Sequence, residues 1–102
     1  MILEATEKVI KFTHEVSYED FICNEEKHDA ILRNLEVIGE AANRLPDNFI
    51  QSNNHISWHR VIGLRHRIIH EYFGVSDIIV WNIVTEKIPE LKLQIQQILQ
   101  SY

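Results

Sequence analysis

The chain has 102 residues, 45% of them hydrophobic, with only three glycines and two prolines. This length and composition predict a single ordered domain over residues 1–102 with its own core, and they exclude a disordered chain. The formal net charge is -5 at pH 7, which excludes nonspecific nucleic-acid binding through overall positive charge, so any such contact has to be local.

Cysteine content and hydropathy predict the cellular compartment of the protein. Cys23 is the single cysteine, which excludes an internal disulfide, and we interpret it as a small hydrophobic residue. No apolar run reaches the length of a membrane span, and the N-terminus lacks the pattern of a signal peptide. We therefore expect a cytoplasmic protein with no membrane partner.

Apolar residues recur at intervals of three and four along the first half of the chain, the spacing of helices buried on one face. The pattern predicts a helix over residues 2–14 and a short helical turn that starts at the N-cap Ser17. A long helix should follow, capped by Asn24 and ended before Pro46, whose ring blocks continuation. We expect this helix to be central because one face holds Ile31, Leu35, Ile38, Ala41, Ala42 and Leu45.

Two positions of the long helix bear on how it packs. Gly39 and its small neighbours permit the close approach of another helix. Asn34 lies at the edge of the apolar face, where a buried amide needs hydrogen-bond partners. Its side chain either braces another helix or caps a nearby backbone group, and the pattern is compatible with both.

The second half of the chain predicts a polar connector and further helices. Residues 47–55 are polar and predict a connector with at most one short helical turn. A helix should extend over about residues 76–87, and Pro89 fits the first turn of a separate last helix. Together the segments predict an all-α fold, an antiparallel bundle of four to five helices.

The remaining helix starts at the N-cap Ser57, is stopped by Gly74 and carries the unusual charge pattern of this chain. It holds three arginines and three histidines, with no acid before Glu71. On a helical projection Arg65 falls in the middle of an apolar face, where a buried unpaired charge would cost on the order of several kcal/mol. We therefore expect Arg65 to have a partner or to line a wet cleft. The apolar face consists of Trp58, Val61, Ile62, Leu64, Ile68 and Ile69.

The opposite face of this helix carries a second stripe. Gly63 lacks the side chain that would otherwise cover the stripe, so a ligand or another backbone could approach there. A metal is one candidate, because His66 and His70 lie four residues apart on one helical face. No third ligand and no zincin-type glutamate accompany them, so we predict no metal and no cofactor. The stripe consists of His59, Gly63, His66 and His70, flanked by Arg60 and Arg67.

A short motif in this helix resembles a known family. Arg65, four further residues, His70, one further residue and Tyr72 resemble the signature of the HepT-like branch of the HEPN domains. HEPN domains form a superfamily of small helical RNA-cleaving proteins. The resemblance covers most of the chain, because further similar segments lie at residues 29–46, 72–75, 80–84 and 88–91.

The resemblance implies an endoribonuclease that needs no metal, because RNA supplies its own nucleophile in the 2′-hydroxyl. An imidazole suits the proton transfers, since its unperturbed pKa lies at about 6.5. A guanidinium suits the phosphate and the transition state, because its planar fork binds two phosphate oxygens. We therefore assign catalysis to His70 and Arg65, and RNA binding to Arg60, His66 and Arg67.

The spacing of the two catalytic candidates bears on assembly. An ideal helix places Arg65 and His70 about 140° apart, so one copy of the motif does not easily bring them together. A two-fold dimer would place two copies face to face across one cleft. The resemblance implies the same arrangement, because HEPN ribonucleases form their active cleft between protomers. We therefore expect a homodimer.

The resemblance also implies regulation at Tyr72. In the HepT-like family the matching tyrosine receives AMP from a partner, the MntA-like nucleotidyltransferase antitoxin. AMPylation would place a negative phosphate and a bulky nucleoside beside Arg65 and His70, where the RNA phosphate would lie. The sequence thus predicts the toxin of a type VII-like toxin-antitoxin system, with Tyr72 as its modification site and the antitoxin as a partner in further assembly.

Two other functions stay open. The chain could be a non-catalytic helical module that presents Tyr72 or its dimer face to a nucleotidyltransferase. It could also be a small metal-binding helical protein. Growth arrest on expression would distinguish a toxin from the first alternative, and native mass spectrometry would test the second.

Overall fold

The structure, a computed structural model, describes residues 2–70 and 77–100, and it gives side-chain surroundings for residues 3–66 and 77–100. Every element in these ranges is helical, which confirms the predicted all-α class. The elements are α1 (Ile2–Thr13), α2 (Tyr18–Cys23), α3 (Glu25–Asn43), α4 (Asp47–Ser52), α5 (Trp58–His70), α6 (Asp77–Asn82), a π-helical turn (Ile83–Lys87) and α7 (Ile88–Gln100).

Side-chain caps determine where α2 and α3 begin. The Asp20 amide donates to Ser17 Oγ at 3.1 Å, and the Ser17 amide donates to the Asp20 carboxylate at 3.4 Å. This reciprocal pair is a capping box. At the start of α3 the Lys27 amide donates to Asn24 Oδ1 at 3.1 Å. Both predicted caps are confirmed.

The turn between α1 and α2 contains a residue in the left-handed conformation. Glu15 has a φ of 56°, and no other non-glycine residue has a positive φ in the parts of the chain that the structure describes. Residues with a side chain rarely adopt this region, and glycine is the usual choice just after a helix. The turn therefore carries local backbone strain.

The central helix of the bundle is α3, which packs against α1 on one side and α5 on the other. Ile31, Leu35 and Ile38 are fully buried in the core, which confirms the predicted apolar face. Asn34 Nδ2 donates to the Ala30 carbonyl at 2.8 Å. Of the two open alternatives for Asn34, the structure therefore supports a cap on a backbone group of its own helix.

The last helices form one continuous helical segment over residues 77–100. The prediction of a last helix with Pro89 in its first turn is confirmed, since α7 begins at Ile88, but no break separates it from the preceding helix. The Ile88 amide donates to the Ile83 carbonyl, five residues back, so the turn before the proline is wider than an α-helical turn. In a regular α-helix the proline ring would crowd the Thr85 carbonyl. The wider turn lets the helix pass Pro89 without a break.

Four long helical segments, α1, α3, α5 and residues 77–100, form the predicted bundle. The predicted connector contains the short helix α4, whose Phe49 and Ile50 pack partly buried against the core. Cys23, interpreted from the sequence as a small hydrophobic residue, is an exposed free cysteine. Within residues 2–70 and 77–100, no helix is both long and apolar enough to cross a membrane.

Candidate functional site

The predicted motif helix is α5, and its start is fixed by packing around Trp58. This residue is only 4% exposed, and its Nε1 donates to the Asn53 carbonyl at 3.0 Å. The Phe49 ring lies against it with a centroid distance of 6.0 Å. The Ser57 carbonyl accepts the first helical hydrogen bond, from the Arg60 amide at 3.0 Å. Ser57 thus occupies the predicted N-cap position.

α5 and α3 come into very close contact at Gly39. A Cβ atom on Gly39 would lie 2.8 Å from the Arg65 backbone nitrogen and 3.2 Å from both the Arg65 Cβ and the Val61 carbonyl oxygen. Side chains do not tolerate such distances from backbone atoms, so only glycine fits here. The predicted role of Gly39 in close helix approach is confirmed, and the contact fixes the backbone of Arg65 on the central helix.

The Arg65 side chain itself is exposed. Of the two expectations for Arg65, a partner or a wet cleft, the exposure is compatible with the second, although the backbone and Cβ of Arg65 lie in the packing face. A long arginine stem can leave an interface and keep its charged end in water, which avoids the cost of burying the charge. Arg65 forms no ion pair with any carboxylate in the described part of the chain.

The rest of the packing face agrees with the helical projection. Trp58 and Leu64 are buried, and Val61 and Ile62 are partly buried against the core. Ile68 and Ile69 are part of α5, but the structure does not describe their side chains. The apolar face is thus confirmed over its first two turns.

The opposite face of α5 is open around Gly63. A Cβ atom there would meet no atom of another described residue within 4 Å beyond the backbone of its own helix, as expected for a position that leaves room for an approaching group. His59, Arg60 and His66 are exposed on this helix. The described part of α5 therefore presents two exposed arginines, Arg60 and Arg65, on a protein whose net charge is negative.

Several predicted site residues lie wholly or partly outside the described residues. His70 is the last residue of α5, but its side chain is not described, and the same holds for the Arg67 side chain. Tyr72 and Gly74 fall between the described ranges. The structure thus locates Arg60, Arg65 and His66 on one helix, and the roles of all six site residues remain predictions.

A second polar constellation was not predicted from the sequence. His28 Nε2 lies 3.0 Å from Asp77 Oδ1, and His28 Nδ1 lies 3.5 Å from Asp29 Oδ1. The His28 side chain is 14% exposed. A sequence signal does exist, because His28 lies three and seven residues before Ile31 and Leu35 and so shares their buried face. Its partner Asp77 is 49 residues away, which no local pattern shows.

Neither constellation forms a metal centre within residues 3–66 and 77–100. Among these residues no group of three or more histidine, cysteine, aspartate and glutamate side chains could hold a metal ion. The His28 cluster consists of one imidazole and two carboxylates, and the carboxylates face different ring nitrogens of His28, so they cannot share one ion with it. What the described part of α5 offers is two exposed arginines, Arg60 and Arg65, whose guanidinium groups suit phosphate oxygens.

Comparison with known proteins identifies the family of this chain. A family model described as "Ribonuclease HepT-like" matches residues 2–98. The chain is 41% identical over 89% of its length to the "Probable ribonuclease HepT" of Thermococcus cleftensis, covering 83% of that protein. It is 39% identical over 98% of its length to a protein of Caldanaerobacter subterraneus subsp. tengcongensis named "Putative RNase", covering 89% of it.

An archaeal relative extends the comparison. A protein of Methanocaldococcus jannaschii that is also named "Putative RNase" is 38% identical over 93% of this chain, which covers 87% of that protein. No solved structure matches the chain significantly. Because the family model spans nearly the whole sequence and these relatives match over most of both chains, this protein is a member of the HepT-like ribonuclease family.

Proposed function

We propose that the protein is a metal-independent endoribonuclease in which Arg65 and His70 are the catalytic residues. The observation that carries the proposal is the exposed Arg65, whose backbone is fixed against Gly39 of α3. Because its backbone is fixed and its side chain is exposed, Arg65 is suited to binding a phosphate group from solution. Membership of a ribonuclease family makes RNA the expected source of that phosphate.

The proposed reaction uses the 2′-hydroxyl of RNA as the nucleophile. Its oxygen forms a bond to the adjacent phosphorus, and the bond from phosphorus to the 5′-oxygen breaks. One proton leaves the 2′-hydroxyl and one is delivered to the departing 5′-oxygen. His70 handles a proton transfer, and Arg65 stabilises the charge that builds up on the phosphorane oxygens. The products are a 2′,3′-cyclic phosphate and a 5′-hydroxyl.

The open face of α5 provides the proposed RNA-binding surface. Arg60 and His66 are exposed there, and the space at Gly63 lets a phosphate backbone come close to the helix. Arg67 is the third proposed contact. Local positive charge of this kind binds a phosphate backbone in a protein whose overall charge is negative.

Assembly and regulation complete the proposal. The helical offset between Arg65 and His70 favours a homodimer in which the cleft forms between two subunits. Tyr72, two residues after His70, is the proposed AMPylation site of an MntA-like nucleotidyltransferase antitoxin. The added phosphate would compete with RNA for Arg65. The protein would then be the toxin of a type VII-like toxin-antitoxin pair.

The test is cleavage of RNA by the purified protein in EDTA. We expect Arg65→Ala and His70→Ala each to lower the cleavage rate by about 100-fold or more, the usual effect of losing a charge stabiliser or a proton-transfer group. Arg44→Ala and His14→Ala are matched controls, because both residues are exposed and lie outside α5. Equal cleavage by all four variants would contradict the assignment of Arg65 and His70, and no cleavage by the wild-type protein would favour the non-catalytic module.

A further inference from the structure

Helices α2 and α6 lie side by side and contact each other through aromatic rings. The Tyr18 and Trp81 rings approach to a centroid distance of 6.1 Å. Both also pack on the fully buried Phe21, at 6.4 Å from Tyr18 and 5.2 Å from Trp81. Tyr18 and Trp81 are themselves only partly buried against the core. Each ring therefore keeps part of its surface open to solvent where the two helices meet.

Two isoleucines extend this aromatic surface along the two helices. Ile22 lies four residues after Tyr18, and Ile78 lies three residues before Trp81, so each isoleucine shares a helical face with its ring. Ile22 is 43% exposed and Ile78 is 45% exposed. Tyr18, Ile22, Ile78 and Trp81 thus form one partly exposed apolar surface, which we call the α2–α6 patch. Contiguous exposed apolar groups mark interaction sites, whereas singly scattered ones need no explanation.

The α2–α6 patch has a fixed shape before any partner binds. The His28 ring of α3 packs on Phe21 with a centroid distance of 4.9 Å, and its Nε2 lies 3.0 Å from Asp77 Oδ1. The His28 side chain is 14% exposed, so water competes little for this bond. The bond ties the start of α6 to α3, which also packs on α2. A surface that is already ordered loses little conformational entropy on binding.

The charges beside the patch are negative. α2 carries Glu19 and Asp20, α6 carries Asp77, and neither helix contains a lysine or an arginine. Glu19 is exposed three residues before Ile22, and Asp77 directly precedes Ile78 with 44% of its side chain exposed. Carboxylates at the rim of an apolar surface repel the phosphate backbone of a nucleic acid and attract a basic partner. The charge of this surface is thus opposite to that of α5.

We propose that the α2–α6 patch binds a partner protein through a segment in which lysine or arginine side chains flank aliphatic ones. The aliphatic side chains pack against Ile22 and Ile78, and the basic ends reach Glu19 and Asp77. The partly exposed ring of Trp81 adds a face that attracts cations. Tryptophan and tyrosine are also the residues that most often dominate the binding energy of protein interfaces. The inference uses no residue of α5 and is independent of the proposed ribonuclease function.

The test measures the binding of two synthetic peptides to the full chain by isothermal titration calorimetry. Both peptides form an amphipathic helix with the same leucine face, and the polar face consists of lysine in one and of glutamate in the other. We expect the lysine peptide to bind about tenfold more tightly or better, because its charge complements the acidic rim. Its affinity should fall as salt is added, since salt screens exposed charges.

Five variants of the full chain locate the binding surface. Ile22→Ser and Ile78→Ser should each weaken binding of the lysine peptide by about tenfold, because each removes apolar area that the peptide covers. Leu93→Ser is their matched control, since Leu93 is 61% exposed but lies on α7. Glu19→Lys should weaken binding by about threefold through repulsion. Glu4→Lys makes the same charge change at an exposed position of α1 and should bind as the wild type does.

Amide chemical shifts measured by NMR give a second readout of the same surface. On addition of the lysine peptide, the largest changes should fall on α2 and α6. Equal affinity for the two peptides, or an equal loss of affinity in Ile22→Ser and Leu93→Ser, overturns the proposal. If the isoleucine variants do not fold, Glu19→Lys and its control Glu4→Lys carry the test.

Two other occupants of the patch would be recognised by their own results. A dimer of the wild-type chain that Ile22→Ser and Ile78→Ser abolish in sedimentation experiments assigns the patch to a second copy of the chain. The same chemical-shift changes on addition of an RNA oligonucleotide assign it to nucleic acid. Either result overturns the proposal of a basic protein partner. RNA cleavage by Arg65→Ala bears only on the ribonuclease proposal, so the two proposals can fail separately.

Discussion

Two glycines on adjacent helices of this protein serve different purposes. Gly39 lies inside the contact between α3 and α5, where a Cβ atom would approach the Arg65 backbone to 2.8 Å. Gly63 lies on α5 itself, and a Cβ atom there would meet nothing within 4 Å. A glycine inside a helix costs about 0.5–1 kcal/mol relative to alanine. At Gly39 close packing of α3 against α5 offsets this loss of stability. At Gly63 no such contact with another described residue offsets it.

Gly39 serves packing within the chain, whereas we expect Gly63 to serve contact with another molecule. The contact at Gly39 exists within one chain and places Arg65 on the central helix. Gly63 has open space around it among residues 3–66 and 77–100, and it lies on the helix that presents the exposed arginines Arg60 and Arg65. We therefore expect an approaching RNA backbone, or the second subunit, to use it. Replacing each glycine by alanine in turn would distinguish the two roles.

The largest effect is expected from Gly39→Ala. The added methyl group would overlap the Arg65 backbone nitrogen, and backbone atoms cannot move aside as a flexible side chain can. We expect the free energy of unfolding to fall by about 1–2 kcal/mol, an overpacking cost partly offset by the better helix propensity of alanine. Urea denaturation would measure it, and RNA cleavage should fall as well because Arg65 is displaced. Unchanged stability would show that the two helices can separate freely.

Gly63→Ala should have the opposite effect on stability and provides the matched control. The free energy of unfolding should rise by about 1 kcal/mol, since alanine is the better helix former and has open space around it. RNA cleavage should nevertheless fall by about tenfold, because the methyl group occupies the approach path of the ligand or partner. A stabilised variant with full cleavage would show that neither RNA nor the second subunit needs this space.

The smallest effect is expected at Glu15, where the backbone favours glycine but the sequence does not supply it. Its φ of 56° lies in the left-handed region, so Glu15→Gly should raise the free energy of unfolding by about 0.5 kcal/mol, with part of the relief lost to greater freedom of the unfolded chain. Thermal unfolding would measure this shift. Glu15→Asn, which also tolerates the region, should give a smaller gain, and destabilisation by both would contradict the assigned strain.

Much of the fold could be predicted because it depends on local chemistry. Ser17 and Asn24 cap helices with their own side chains, so a few adjacent residues suffice to predict where α2 and α3 start. The buried face of α3 follows from residue spacing alone. The role of Gly39 follows from the small residues Gly39, Ala41 and Ala42, which together permit another helix to come close.

The features that were missed depend on three-dimensional context. The helical projection placed Arg65 in the packing face correctly, but a projection does not show that its stem carries the charge out to solvent. The bond from His28 to Asp77 joins residues 49 positions apart, which no periodicity links. Pro89 usually marks a helix start, and only the hydrogen-bond pattern of the preceding turn shows that the helix continues through it.

That π-helical turn also keeps the last helical segment aligned with the core. In an α-helix each step of four residues advances about 40° beyond a full circle, so an apolar stripe spaced by fours gradually drifts around the helix. A wider turn needs more residues to close, and a step of four across it rotates less. Val80, Val84 and Ile88, all at most 4% exposed, thereby stay on one line along the bundle. The π-helical turn before Pro89 thus keeps the buried residues on its two sides facing the same part of the core.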